Sequence, residues 1–488
     1  MGISLLALKR QRQDFRFITK EENLEMKEKY DVVIVGGGAG GIFAAYEFVK
    51  MKTGLSIGLI EKGKPLNKRK CPIDGDKIRT CIHCASCSIM EGIGGAGAFS
   101  DGKYNITNNF GGDMARYVGD RKAIELMNYV DEINMSMGGE GSKRYNTVDS
   151  QIKREALQYD LHLLDAEVRH LGTDKNYVIL SNIVEEIKDH IDITTDTAVS
   201  GIEQNNDGTW RVVTENGTTD ANYLILATGR SGSAWTSKVC EHLGITARNN
   251  RVDIGIRFEC PAFIWDRITD QVYESKIMYR SAVTGCTCRT FCMNPKGAVV
   301  TENTNGVMTV NGHSYEDSAK HTENTNFALL VTHHFTEPFK DSNAYGEYIA
   351  RLTNMLAGGV MVQRFGDLVA NKRTNSKRLS ESFVRPTLSA EPGNLALAIP
   401  KLTLDTIIEM IYALNKLVPG TANYDNLLYG TEVKFYNSCI DVNNTFETKY
   451  KGLFVIGDAS GTTHSLSQAS SEGVYVARHI AGNVLQDA

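Results

Sequence analysis

An α/β fold with a second, α+β unit inserted into it is what the sequence predicts, and three observations carry the prediction. A β-branched run at 30–35 leads into the glycine turn Gly36-Gly37-Gly38-Ala39-Gly40-Gly41, an amphipathic helical pattern and a second apolar run at 55–60. Two further short apolar runs, 223–227 and 453–456, stand far apart in the chain. The stretch between them mixes β-like runs with helical patterns, as a separate unit would. The expected organisation is a Rossmann-type domain, discontinuous over 29–235 and 445–488, an inserted α+β domain over 236–444, and an extension over 1–28.

Composition sets the frame. The chain has 488 residues, 42% hydrophobic and 23% charged with nine prolines, which describes a globular protein of two or three domains and leaves little room for long disordered tracts. A net charge of −5 and a pI near 6.2 give no overall basic field to attract nucleic acid or anionic lipid. The apolar run 3–8 precedes Lys9-Arg10-Gln11-Arg12, the reverse of a secretory signal. Gly2 is followed by Leu6 where a myristoylation signal requires Ser or Thr, and no stretch approaches the ~18 apolar residues of a membrane span. The expectation is a cytoplasmic protein without a membrane partner.

The elements follow in order. Helical spacing of Ile42, Ala45, Tyr46 and Val49 predicts a helix after the glycine turn. Residues 62–110 form a loop-like stretch rich in Gly, Cys and basic residues, too long for a compact domain unless it is functional or partner-bound. Helices are expected at 114–135, 152–171 and 181–190, then strands at 192–204 and 209–214 around the turn Asn205-Asn206-Asp207-Gly208. In the inserted unit, 252–259, 297–302 and 307–310 read as strands, and 343–357 and 404–417 as helices. A final helix is expected at 470–484.

The glycine turn satisfies G-x-G-x-x-G through Gly36, Gly38 and Gly41. Gly36 permits the tight turn, Gly38 lets backbone approach a pyrophosphate, Gly41 allows helix and strand to pack closely, and the helix beginning at Ala39 offers free N–H groups to phosphate. Glu61, at the end of the second strand, stands where a ribose hydroxyl is bound in such units. No second such turn follows a strand downstream, so a separate nicotinamide domain is not expected.

Leu224-Ile225-Leu226-Ala227-Thr228-Gly229 resembles the Ala-Thr-Gly turn of glutathione-reductase-like flavoproteins, and Gly452-Leu453-Phe454-Val455-Ile456-Gly457-Asp458-Ala459 resembles their C-terminal strand. Together with Gly92-Ile93-Gly94-Gly95-Ala96-Gly97-Ala98-Phe99-Ser100-Asp101-Gly102-Lys103, Arg289-Thr290-Phe291-Cys292-Met293-Asn294-Pro295 and Val310-Asn311-Gly312, most of 29–480 is similar to the uncharacterised FAD-dependent dehydrogenase family described as similar to NAD-utilising dehydrogenases. The resemblance implies FAD as cofactor. It implies that Asp458, after Gly457, bonds the ribityl chain, that Thr228 and Gly229 form the second turn, and that Gly94, Gly95 and Ala96 line the pyrophosphate or flavin. It also implies that Val199 lies near the adenine, and that the helix beginning near Gln468 and Ala469 points at the flavin pyrimidine edge, where a helix N-terminus stabilises negative charge. Where members of that family end in a glycine-rich segment, this chain has Thr463-His464-Ser465-Leu466-Ser467-Gln468.

Cys71, Cys81, Cys84 and Cys87 form C-x9-C-x2-C-x2-C. That spacing suits a metal or iron–sulfur centre, a redox dithiol, or inert thiols, and the three readings stay open. Lys62, Lys64, Lys68, Arg69 and Lys70 read as a solvated loop or as a patch meeting the FAD phosphates, Lys62 among them, or a polyanionic substrate. Arg289, in the segment Arg-Thr-Phe-Cys that the resemblance places opposite the flavin, is a candidate for holding a substrate carboxylate or phosphate through its planar fork, or is structural. Cys292 beside it and His333, at a strand end, complete the catalytic candidates, His333 as a proton acceptor; Lys103 and Asp101 are weaker ones.

The leading expectation is an FAD-dependent dehydrogenase or oxidase acting on a C–H or C–N bond by hydride transfer to flavin, with an unidentified electron acceptor. The alternatives are an oxidative lyase or tailoring enzyme acting on a modified nucleobase in phage DNA hypermodification, the one reading with a nucleic-acid partner, and a thiol- or iron–sulfur-linked electron-transfer flavoprotein.

Overall fold

The computed structural model describes residues 26–72, 82, 84–148, 150–272, 274–304, 306–314, 319, 321–336, 339 and 341–487. Nearly all of the 1–28 extension, and Cys81 and His83 of the cysteine loop, lie outside them.

The chain is a mixed α/β structure built on two large sheets. In the first, parallel strands run in the order Asp192–Thr194, Ile57–Ile60, Lys29–Val35, Gly217–Leu226 and Leu453–Val455. Strands buried on both faces need no polar alternation, which is why 32–35 and 224–226 are unbroken apolar runs. The antiparallel hairpin Val199–Gln204 and Trp210–Thr214 pairs with the first half of Gly217–Leu226, leaving its second half to Leu453–Val455. Helices Ala39–Lys50, Asp120–Asn134, Gly172–Ile187 and Leu466–Asp487 share one core with Val32 and Ile34. The opposite face buries Val33, Leu224, Leu226 and Trp210.

The second sheet has eight strands, in the order Glu391–Pro392, Met361–Arg364, Leu427–Lys434, Val252–Pro261, Asn324–His333, Thr287–Asn294, Ile277–Arg280 and Leu161–Leu163. Its two faces differ in kind. Ile256, Phe258, Phe327, Leu329 and Val331 pack on Trp265 and on Ile407, Met410, Ile411 and Leu414 of the helix Lys401–Leu417. On the other face stand Asp253, Arg257, Glu259, Asn326 and Glu432, all at 0% exposure. Period-two alternation puts these charges on one face, and burial obliges each to find a partner.

Several expected elements differ: the helix expected at 181–190 runs Gly172–Ile187, the strand expected at 192–204 is split into Asp192–Thr194 and Val199–Gln204, and the loop 62–110 includes the strand Lys103–Ile106. The helix expected at 152–171 is a short helix, Gln151–Leu157, followed by strands Leu161–Leu163 and Glu167–His170, with Asp160 turning the chain at φ 57. The first of these strands pairs with Ile277–Arg280, so a segment assigned in sequence to 29–235 joins the sheet of 236–444. The helix expected at 114–135 is interrupted at Gly119 and runs as Ala115–Val118 and Asp120–Asn134. The C-terminal helix begins earlier than expected, at Leu466.

Candidate functional site

The glycine turn packs as its sequence requires. Gly36 has φ +107, and a Cβ there would lie 2.4 Å from the carbonyl oxygen of Ala227, so the turn rests directly on the 227–229 turn. Glu61, 6% exposed, accepts N–H groups from Gly37 at 2.7 Å, Gly63 at 2.8 Å and Gly92 at 2.9 Å, and Gly94 N–H donates to Gly37 O at 2.7 Å. One carboxylate thereby ties together three loops. Arg69, expected as part of a basic patch or solvated loop, is instead buried, and donates to the carbonyls of Ser88, Ile89 and Ile93. Lys62 pairs with Glu91 at 2.7 Å and reaches Ser231 O at 3.3 Å.

These loops meet along a seam, or groove, at which Gly38, Ala39, Gly95, Thr228, Gly229 and Asp458 are partly exposed and Ala96 is exposed. Gly95, at φ +56, faces Gly38 so closely that a Cβ on it would come within 3.0 Å of Gly38 Cα. The first N–H groups of the helix Ala39–Lys50 have no intrahelical partner, and Gly38 and Ala39 at its start are partly exposed. A glycine-walled cradle ending on free N–H groups fits the pyrophosphate of a dinucleotide. Thr228 Oγ1 bonds Thr236 Oγ1 at 2.7 Å, and the Asp458 carboxylate accepts from Arg230 Nε at 2.7 Å. Val199 opens the hairpin and is half-buried beside Trp235.

Gln468, 1% exposed, takes a different role from the one expected. Its Oε1 accepts from Met114 N–H, and its Nε2 reaches the carbonyls of Thr107, Phe110 and Gly112. Its amide is consumed in latching the 107–114 loop to the C-terminal helix. Ala469 is buried next to Gly457, with 3.8 Å between the Ala469 Cβ and a Cβ built on Gly457.

Facing this framework from the second sheet is a polar group centred on Asp253. Its carboxylate accepts from Arg289 Nη2, from Tyr436 Oη and from Thr332 Oγ1, the last at 2.7 Å. Burial works to raise the Asp253 pKa, but Arg289 and the two hydroxyls outweigh it and hold the carboxyl below its usual value. The Tyr436 ring lies 4.4 Å from that of His464, from the 461–465 loop of the first unit, and Arg251 stands 5.1 Å over the same tyrosine. Burial, helped by Arg251 and Arg230 and opposed by Asp458, pulls His464 down to about 4, so its imidazole is neutral at pH 7. Lys276 lies between the rings of Phe110, at 4.3 Å, and Phe291, at 4.0 Å, and pairs with Glu274, which also pairs with Lys103. Burial lowers Lys276 against the opposing pull of Glu274.

Of the catalytic candidates, Arg289 joins this group with its Nε buried and unpartnered. Cys292 is half-buried at a bulge with φ 46, its carbonyl accepting from Arg257 Nη2 at 2.7 Å and Asn294 Nδ2 at 3.0 Å. His333 is not brought to them. It pairs in register with Val252 while Thr332 pairs with Asp253, so the two point to opposite faces, and its Nε2 meets Thr403 Oγ1 at 3.1 Å. Cys71 and Cys87 are half-buried and Cys84 is exposed; among the described residues no group of three or more His, Cys, Asp or Glu is disposed to hold a metal. Asp253, Tyr436 and His464 were not singled out from sequence. The alternation of Asp253, Arg257 and Glu259 with apolar residues along one strand was the available signal.

Among solved structures, the chain is similar to glycine oxidase from Geobacillus kaustophilus (12% identity, 93% of this chain and 95% of that one, TM-score 0.40) and to L-proline dehydrogenase from P. horikoshii (13%, 94% and 95%, 0.40). It is also similar to L-amino acid deaminase from Proteus vulgaris (10%, 94% and 91%, 0.36). At these scores the likenesses carry no argument about site or activity. No curated protein matches the chain. Residues 263–435, which include Arg289, match the family model described as FAD-dependent protein, C-terminal domain-like.

Proposed function

We propose that the chain is an FAD-dependent oxidoreductase of the glutathione-reductase-like kind, oxidising a C–H or C–N bond of a substrate that carries an anionic group. The observation that carries the reading is the glycine cradle of Gly38 and Gly95 together with the contact of His464, six residues after Asp458, on the Asp253–Arg289–Tyr436 group, whose Arg289 lies in the segment 263–435 that matches the FAD-dependent family model. Bound FAD supplies the two-electron acceptor. The N–H groups after Gly38 hold its phosphates, and Asp458 stands at the groove edge as the ribityl partner.

Asp253 fixes Arg289 by Nη2, and the 14% of the side chain that stays exposed is what a carboxylate or phosphate oxygen would meet. His464, neutral and packed on Tyr436, walls the same side and keeps a ring nitrogen as acceptor. The nucleobase and the thiol or iron–sulfur readings draw no support from the geometry of the described residues.

The test is a visible spectrum of the protein after incubation with FAD and removal of the excess, followed by anaerobic addition of small amino and hydroxy acids. Retained flavin absorption that bleaches with one such acid supports the reading. A colourless protein that cannot be loaded with FAD overturns it.

A further inference from the structure

Behind the groove, Gly457 is closed into a ring of four hydrogen bonds. Its N–H donates to Glu472 Oε2 at 2.6 Å, Glu472 Oε1 and Thr462 Oγ1 are 3.1 Å apart, Thr462 Oγ1 and Ser460 Oγ are 2.6 Å apart, and Ser460 Oγ donates to Gly457 O at 2.7 Å. Glu472 and Ser460 are at 0% exposure and Thr462 at 2%, so water cannot replace a missing link. Four links need four hydrogens. The Gly457 N–H and the two hydroxyls supply three, and only a protonated Glu472 carboxyl supplies the fourth.

We infer that Glu472 is the positioning residue of the Gly457–Thr463 turn, that it acts in its protonated form, and that its ionisation loosens the hold of the turn on FAD; this rests on the FAD reading above. With the proton in place the hydrogens run one way around the ring, from Glu472 to Thr462 to Ser460 to the Gly457 carbonyl. Without it, Thr462 turns its hydrogen to the carboxylate. Then either Ser460 turns to Thr462 and leaves the Gly457 carbonyl unpaired, or two hydroxyl oxygens face each other with no hydrogen between them.

The charged and titratable groups whose fields reach Glu472 are Asp458, on the turn itself, and Tyr117, on the short helix Ala115–Val118; both are acids. Among the described residues no cation pairs with it. Burial accordingly pushes the Glu472 carboxyl up to about 8, against the opposing bonds from Gly457 and Thr462. Ionisation therefore places an uncompensated negative charge behind Asp458 and the groove that takes an anionic cofactor.

The experiment is titration of the cofactor-free full chain with FAD between pH 6 and pH 9.5, followed by flavin fluorescence. The wild-type dissociation constant should be level at the acid end and then rise by up to about tenfold per pH unit above the Glu472 pKa, as one linked proton requires. Glu472→Gln, whose amide supplies the fourth hydrogen permanently, should bind FAD with no such rise. Ser460→Ala opens the ring while leaving the carboxyl in place, so its onset should move to lower pH; this variant keeps the test open should Glu472→Gln not fold. The same pH dependence in all three proteins overturns the role of Glu472 and leaves the FAD reading standing. No FAD bound by any of them at any pH overturns the FAD reading, and this inference with it.

Discussion

At the scale of single residues, the site rests on buried charges held by several donors each. Glu61 takes three N–H groups, and a bond to a charged acceptor contributes roughly 1.5–3 kcal/mol. Glu61→Gln puts an amide N–H where a donor must be received, so a loss of about 2–3 kcal/mol is expected in denaturant unfolding. Asp253 and Arg289 are more tightly matched. Arg289→Ala strands a carboxylate that is wholly buried, for a cost of about 3–5 kcal/mol, whereas Asp253→Asn keeps hydrogen-bonding capacity and should cost less. Their difference in urea midpoint checks this.

The two buried acids carry opposite signs in pH. The Asp253 pKa is depressed, so its stabilisation is present above the unfolded value of about 3.9 and is lost as pH falls through the folded one. The Glu472 pKa is raised, so its contribution is full below the unfolded value and is lost as pH rises toward about 8. Thermal melts of Glu472→Gln against wild type should accordingly show the variant gaining relative stability between pH 5 and pH 8, and a constant difference would contradict this. Glu61 was singled out by its strand end and Asp458 by the resemblance, but the three backbone N–H groups that Glu61 accepts were not foreseen. Tyr436, His464 and Glu472 were not singled out, because their partners come from other strands and loops and no local spacing records them.

The strand, glycine turn, helix and second strand were legible because each local preference agrees with its neighbours. The 152–171 stretch has apolar residues compatible with a helix, but pairing with Ile277–Arg280 and with Lys103–Ile106 draws its second half into strands. Such long-range pairing overrides a weak local preference. The hairpin Ala298–Thr304 and Val307–His313 bears Gly312, where a Cβ would fall 1.8 Å from Arg257 Nη2 and 2.2 Å from Asn326 Oδ1. Gly312→Ala should displace the Arg257 cluster that holds the Cys292 carbonyl and lower the melting temperature by several degrees, an expectation that unchanged thermal unfolding would contradict.

Over the whole molecule, two sheets bring separate chemistries to one place. The parallel sheet delivers backbone N–H groups and small residues from its loops, while the antiparallel sheet delivers a polar face of paired charges. Neither face explains itself alone. Under the proposed reading the second is the wall opposite the cofactor, and the Phe110–Lys276 and Tyr436–His464 contacts join the two units. Among the described residues no helix is long and apolar enough to cross a membrane.

The central claim is that FAD occupies the glycine-walled groove, and uptake by wild type and Gly38→Val measures it most directly. Gly38 has φ −77, and the nearest atom to a Cβ there is Gly95 Cα at 4.0 Å, so the first carbon of a side chain meets no closer protein atom and the added bulk takes space the pyrophosphate would need. The prediction is equimolar FAD on the wild-type chain and none on a variant with an unchanged circular-dichroism spectrum. Equal uptake by both, or none by the wild type, would contradict the account.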